Sequence, residues 1–276
     1  MSLDKKNSIN NILEEKRIFP PSKKFVENSN ISTQEELLSL KKQASENPIQ
    51  FWESFAKSEL DWFEPFQTVL DNENAPFFKW FKEGKLNITY NCLDRHIKRG
   101  LGGKTALIWE GEPGDSKKYS YEELLKEVCK AANALKAIGV KKGDLVCIYM
   151  PMIPEAAIAM LACARLGAIH SVVFGGFAAP ELAIRIDDAK PKVIMVASCG
   201  IEINRIIPYK PLLDNAIDLA QHDPKKCIVF QREQLQATLV QGRDIDWKSH
   251  CEVAKPAECT PVNGDDLLYI LYTSGT

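Results

Sequence analysis

From residue 104 onward, apolar runs of strand length alternate with helical segments, and few architectures accommodate that pattern. The runs at 145–149, 169–173, 193–197, 227–230 and 267–272 are apolar almost throughout, not merely at every second residue. A strand that is apolar on both faces has to be covered on both, which predicts a mainly parallel sheet flanked by helices, an α/β fold. A further strand is read at 105–110. Helices are read between the strands. One starts at a capping box formed by Ser120 and Glu123, carries Leu124, Leu125, Val128, Ala131, Ala132 and Leu135, and closes at Gly139. A second opens at Pro151 and Pro154 and is apolar on nearly every side from Ile158 to Leu166, so it is buried. Others are read at 180–189 and 212–220.

In such sheets ligands sit at the carboxyl ends of the strands. Three exits therefore matter: Phe174-Gly175-Gly176-Phe177, Ser198-Cys199-Gly200, and the terminal Thr273-Ser274-Gly275-Thr276.

Composition excludes several classes of function. With 276 residues, 45% apolar and 26% charged, the chain can bury a substantial core and is not disordered. A net charge of -2 gives no electrostatic footprint for nucleic acid or an anionic membrane. There is no apolar stretch long enough to span a bilayer and no apolar signal sequence behind Met1, so the expected location is cytoplasmic. Eight cysteines are scattered without C-x-x-C pairs, and Cys129, Cys147 and Cys163 fall inside apolar patterns, so they read as reduced, buried small hydrophobes. The four histidines lack metal-ligand spacing, and no metal site is assigned.

Three regions differ in texture. Residues 1–32 read as a polar N-terminal arm, with a helix-like patch at 9–16 stopped by Phe19-Pro20-Pro21. Residues 33–94 are crowded with aromatics and start at a second capping-box signature, Thr33 with Glu36. Phe51, Trp52 and Phe55, then Trp62, Phe63 and Phe66, recur at roughly helical spacing. Their charged neighbours are mainly acidic, which argues against a nucleic-acid stacking surface and for aromatics in a core or clasping a domain. The alternating α/β region fills 95–276.

Two chemistries are open at the exits. Glycine lets a backbone approach a ligand closely, and amides with hydroxyls donate to anionic oxygens, so 273–276 suits a phosphate cradle and 174–176 a wall against a flat or phosphorylated ligand. Ordinary strand-to-turn exits would look the same. Neither the G-x-x-x-x-G-K-[ST] loop nor a G-x-G-x-x-G fingerprint occurs at these exits.

The run Tyr272-Thr273-Ser274-Gly275-Thr276 resembles the opening of the Thr-Ser-Gly-Ser/Thr-Thr-Gly-x-Pro-Lys-Gly loop of the AMP-forming acyl-CoA synthetases, in the adenylate-forming superfamily. The segments 74–81 and 86–95 resemble the stretch that precedes the catalytic core in acetyl-CoA synthetases, and 149–177 is similar to short-chain acyl-CoA synthetases. The resemblance runs from about Phe19 to Thr276. It implies that Thr273, Ser274, Gly275 and Thr276 face ATP phosphates, and that Phe174, Gly175 and Gly176 wall the coenzyme A site. Acetyl-CoA synthetases show Gly-x-Arg-x-Gly-Arg at the second exit, with both arginines facing coenzyme A phosphates, where this chain has Gly200-Ile201-Glu202-Ile203-Asn204-Arg205. Only Arg205 can keep that role, or it is a plain surface arginine. Glu202 would repel a phosphate. The strings at 198–202, 209–214 and 242–247 look more like the propionyl-CoA synthetase branch.

What the resemblance implies is a two-step ligase using ATP, coenzyme A and Mg2+. A short carboxylate, acetate first and propionate as the alternative, forms an acyl-adenylate that coenzyme A then intercepts. The family's phosphate-loop lysine, metal ligand, acyl pocket and mobile-domain lysine match positions beyond Thr276. Hence no catalytic residue is assigned here, and the expectation is an N-terminal part of a longer enzyme, inactive by itself. The other class left open is a nucleotide- or coenzyme-binding scaffold without chemistry.

Overall fold

The computed structural model describes residues 18–203, 205–252 and 255–273. The helix-like patch read at 9–16 lies outside the described residues. Two compact units emerge, Met1–Ala56 and Lys57–Thr276.

In the first unit, α1 (Lys23–Glu27) is capped by Ser22, and α2 (Gln34–Glu46) by the Thr33 hydroxyl accepting from the Glu36 amide. The Glu36 carboxylate accepts from Ser32 N–H, one residue earlier than in a capping box. The helix α3 (Pro48–Glu59) carries Phe51, Trp52 and Phe55 in mutual ring contact.

The helical spacing of aromatics does not continue past Glu59. Pro65 removes an amide and bars a helix, and Trp62, Phe63 and Phe66 lie in an extended stretch before β1 (Thr68–Asp71), which pairs with β2 (Lys79–Lys82). Phe66 is buried, and Trp62, Phe66 and Phe81 pack edge to face or tilted. Phe77 and Phe78 are exposed, so the expectation of aromatics in a core or clasping a domain does not extend to them. Next come β3 (Lys85–Leu86), a π-helical turn (Tyr90–Asp94) and α4 (Arg95–Lys98).

Asn87 is fully buried with both ends of its amide engaged. Its Nδ2 donates to the carbonyls of Ala164 (2.8 Å), Arg165 (3.3 Å) and Thr260 (2.9 Å), and its Oδ1 accepts from the amides of Thr89 and Tyr90. Close by, Asp94 takes a bidentate ion pair from Arg165, at 2.8 and 3.0 Å.

The strand β4 (Thr105–Glu110) forms, but it pairs antiparallel with β5 (Ser116–Ser120) across a short Gly/Pro turn and stays outside the main sheet. The helix α5 (Tyr121–Ala137) starts at the reciprocal Ser120–Glu123 capping box and ends just before Gly139, whose φ is 87°. There follow β6 (Leu145–Met150), α6 (Pro154–Arg165), β7 (Ile169–Phe174), α7 (Ala179–Ala189), β8 (Val193–Ala197), the hairpin β9 (Cys199–Glu202) and β10 (Arg205–Pro208), α8 (Tyr209–Leu219), β11 (Lys226–Phe230), β12 (Asp244–Asp246), α9 (Trp247–His250), β13 (Val262–Asn263), which pairs with β3, and β14 (Tyr269–Ile270).

The main sheet is six-stranded and parallel, in the order β12-β11-β8-β6-β7-β14. Successive residues of β6 and β8 go to opposite cores. Val146, Ile148, Met150, Val193 and Met195 pack with α5 and α6. Cys147, Tyr149, Ile194 and Val196 pack with α7 and α8. That two-sided burial is why the strands read as unbroken apolar runs. At the sheet edge, β14 keeps only two paired residues of the longer strand expected at 267–272, since it has a ladder partner on one side alone.

The strings at 209–214 and 242–247 meet across the sheet margin. Lys210 Nζ lies 2.6 and 2.8 Å from the Asp214 carboxylate and 2.7 Å from Asp244, while Arg243 bonds both acids, to Asp244 at 2.7 Å. The Lys210 side chain is 1% exposed and that of Asp244 0%, so this pair is withdrawn from water, while Asp214 and Arg243 stay partly exposed beside it.

Candidate functional site

The parallel strands bring the exits of β7, β8 and β14 to one rim. The first exit is built around Tyr209, which the sequence marks only as part of a branch-typical string. Its ring is 2% exposed and packs on Tyr149 at 5.2 Å. A Cβ on Gly175 would come within 2.5 Å of that ring, and one on Gly200 would overlap its hydroxyl end. These two glycines therefore make room for a tyrosine of the protein. Gly176 differs: its φ of 108° excludes most side chains, and a Cβ there would face Glu202 Oε1 at 3.2 Å. Burial, with Glu202 adding to it, pushes the Tyr209 phenol up to about 12. Gly200→Ala is expected to cost about 2 kcal/mol by overpacking. Urea unfolding checks this, and the added Tyr209→Ala change should make the pair's cost less than the sum of the two.

The second exit is held by Ser198, wholly buried. Its carbonyl accepts from Tyr209 N–H at 3.0 Å, and its hydroxyl accepts from Arg232 N–H at 2.8 Å. The hairpin register then sets Arg205 directly across from Glu202. Arg205 is exposed, and among the described residues neither side chain forms an ion pair. Asn204 lies outside the described residues. The Gly-Gly turn and the Glu202 hairpin are thus in contact, with a carboxylate seated at the turn.

At the third exit β14 runs parallel to β7, Tyr269 opposite His170 and Ile270 opposite Ser171. The pairing ends at Ile270, three residues short of Thr273. Thr273 is exposed, and Ser274, Gly275 and Thr276 lie outside the described residues. The Tyr272 hydroxyl donates to Asp188 of α7 at 2.7 Å.

Over residues 93–276 the chain matches the AMP-binding enzyme family, and over 38–92 the acetyl-coenzyme A synthetase N-terminus. The chain belongs to the AMP-binding enzyme family. It is 43% identical over 269 residues to the acetyl-coenzyme A synthetase of Pasteurella multocida, covering 97% of this chain and 41% of that protein. It is 48% identical over 232 residues to the mitochondrial acyl-CoA synthetase short-chain family member 3 of Rattus norvegicus, covering 83% of this chain and 34% of that one. An uncharacterized protein of Pseudomonas aeruginosa is 52% identical over 230 residues, 83% of this chain and 36% of its own length. The chain thus spans between about a third and two-fifths of these relatives.

A cleft of about 980 Å³, lined by Tyr119, Glu155, Phe230, Arg232 and Trp247, opens beside the ends of β6 and β11. None of the exit residues named from the sequence lines it. Among the described residues no group of three or more His, Cys, Asp or Glu is arranged for a metal ion, and no helix is long and apolar enough to cross a membrane. All eight cysteines are free thiols, and burial pushes Cys147, Cys163 and Cys227 up to about 12, which keeps them protonated near neutral pH. Tyr209 escaped sequence reading because its role depends on two glycines 9 and 34 positions away. The one local clue was the Lys210–Asp214 spacing that fixes the start of α8.

Proposed function

We propose that this chain supplies coenzyme A and ATP-phosphate contacts of an AMP-forming ligase for a short-chain carboxylate, acetate first and propionate as the alternative, acting in the cytoplasm. In that reaction a carboxylate oxygen attacks the α-phosphorus of ATP and the bond to the β-phosphate oxygen breaks, releasing pyrophosphate. The thiolate sulfur of coenzyme A then attacks the acyl carbon, and the bond to AMP breaks. The observation carrying the reading is that the double-glycine turn, the Glu202–Arg205 hairpin and the strand leading to Thr273 share one rim of a parallel sheet.

Within this proposal the chain's residues bind and orient. Gly176 admits a ligand close to its backbone, Arg205 offers an exposed guanidinium to a phosphate, and Thr273 opens the cradle with its hydroxyl. Glu202 keeps phosphate away from the turn itself, steering it toward Arg205. Mg2+ finds no ligand set among the described residues, and no step is assigned to it here.

Calorimetric titration of the 276-residue chain tests the reading. Coenzyme A and ATP should each bind, and Arg205→Ala should weaken coenzyme A about 5-fold while leaving unfolding unchanged, as for one exposed charge-assisted contact. Absence of binding by both ligands would overturn the proposal. Acid-dependent ATP–pyrophosphate exchange is not expected of this chain.

A further inference from the structure

One face of α7 reaches both the double-glycine turn and the β14 exit. Glu181, Arg185 and Asp188 lie at i, i+4 and i+7, so they share a side of the helix, whose opposite side is fixed by buried Leu182, Ala183 and Ile186. The guanidinium carbon of Arg185 sits 4.6 Å from the ring centroid of Phe177 and 5.3 Å from that of Tyr272. Phe177 closes the double-glycine turn; Tyr272 immediately precedes Thr273. One cation therefore lies over two rings, each belonging to a different exit.

The rest of the arrangement holds that cation and those rings in place. Arg185 Nη1 donates to the Glu181 carbonyl at 2.7 Å and reaches its carboxylate at 3.4 Å. The Tyr149 hydroxyl donates to the Phe177 carbonyl at 2.9 Å, the Phe177 ring meets Phe174 edge on at 5.9 Å, and Asp188 accepts from Tyr272. With 19% of its side chain exposed, Arg185 is largely withdrawn from water, where contact between a planar cation and an aromatic face is strongest.

We propose that Arg185 is a positioning residue that couples the two exits, so that ordering the double-glycine turn also orders the strand end that leads into Thr273. A flat guanidinium can face two rings at once. A lysine ammonium at the end of its flexible stem keeps the charge but not that geometry.

Hydrogen exchange measured by mass spectrometry on the 276-residue chain tests the clamp without any ligand, with β8 as the reference for global opening. Arg185→Gln should speed exchange at both 174–178 and 270–273 by about 3- to 10-fold relative to β8. Arg185→Lys should fall between it and the parent chain, and Asp188→Asn should loosen 270–273 only. Loosening of a single exit by Arg185→Gln, or of both exits equally by Asp188→Asn, would overturn the proposal. A second arm rests on the coenzyme A reading: saturating coenzyme A should slow exchange at 270–273 in the parent chain and not in Arg185→Gln. If coenzyme A binds and 270–273 does not respond, or responds equally in the variant, the coupling is wrong. If coenzyme A does not bind, the ligand reading fails while the ligand-free result still decides the clamp.

Discussion

Replacing Lys210 by alanine is expected to lower stability by about 3 to 5 kcal/mol, the cost of removing one partner from a buried charge pair. For a chain of this size that is a fall of about 10 °C in melting temperature, readable by calorimetry. The ammonium is the contact that Asp214 and Asp244 share, and without it Arg243 alone must neutralise two carboxylates. Lys210→Met combined with Asp244→Asn should recover part of the loss, since the orphaned charge is removed along with its partner. The same quartet sets an acid limit. Burial works to raise the Asp244 carboxyl, but hydrogen bonds from Arg243 and Lys210 outweigh it and hold the group below its ordinary 3.8. The unfolded chain takes up that proton first as pH falls, so this contribution is complete above about pH 4 and drains away as pH drops toward the folded value.

Acidification should reveal a second loss at milder pH. His170 is 8% exposed in β7, its ring lies 5.8 Å from that of Tyr269, and its Nδ1 has no hydrogen-bond partner among the described residues. Burial lowers its affinity for a proton from the usual 6.5 to about 4. Between those values the unfolded chain binds the proton and the folded chain does not, so stability falls as pH goes from about 6.5 to about 4. The full difference corresponds to about 3 kcal/mol. Urea midpoints measured across that window should shift steadily in the parent chain and much less in His170→Phe. An unchanged slope in the variant would mean that another group carries the effect.

The layered sheet was legible because β6, β8 and β11 are buried on both sides, which leaves unbroken apolar runs in the sequence, whereas β7 reads as apolar although Val172 and Phe174 are exposed. Helix starts were legible for a different reason: Ser120 and Glu123 satisfy each other's amides within one turn, a relation confined to four residues. What escaped depended on distance along the chain. Trp62, Phe63 and Phe66 imitate helical spacing, and Pro65 between them was the clue that they are not helical. The strand at 105–110 was found, yet its place outside the sheet follows from the nearby turn and partner, not from its own residues. The double glycine looked like space for a ligand, and half of that space belongs to Tyr209. Arg185 and Asp188 carried no signal at all, because their partners Phe177 and Tyr272 meet only once β7 and β14 lie side by side.

The saturated Asn87 amide bears on how this polypeptide can be divided. The family match changes at 92/93, but a chain begun at residue 93 would lose the group that holds the last carbonyls of α6 and the Thr260 strand entry together. Arg165's oxygen would keep the Thr260 N–H and Ala164's the Gly167 N–H, but the side-chain amide that ties all three carbonyls together would be gone. The evolutionary seam and the mechanical seam are different places, and a cut intended to yield a self-sufficient piece belongs upstream of Asn87.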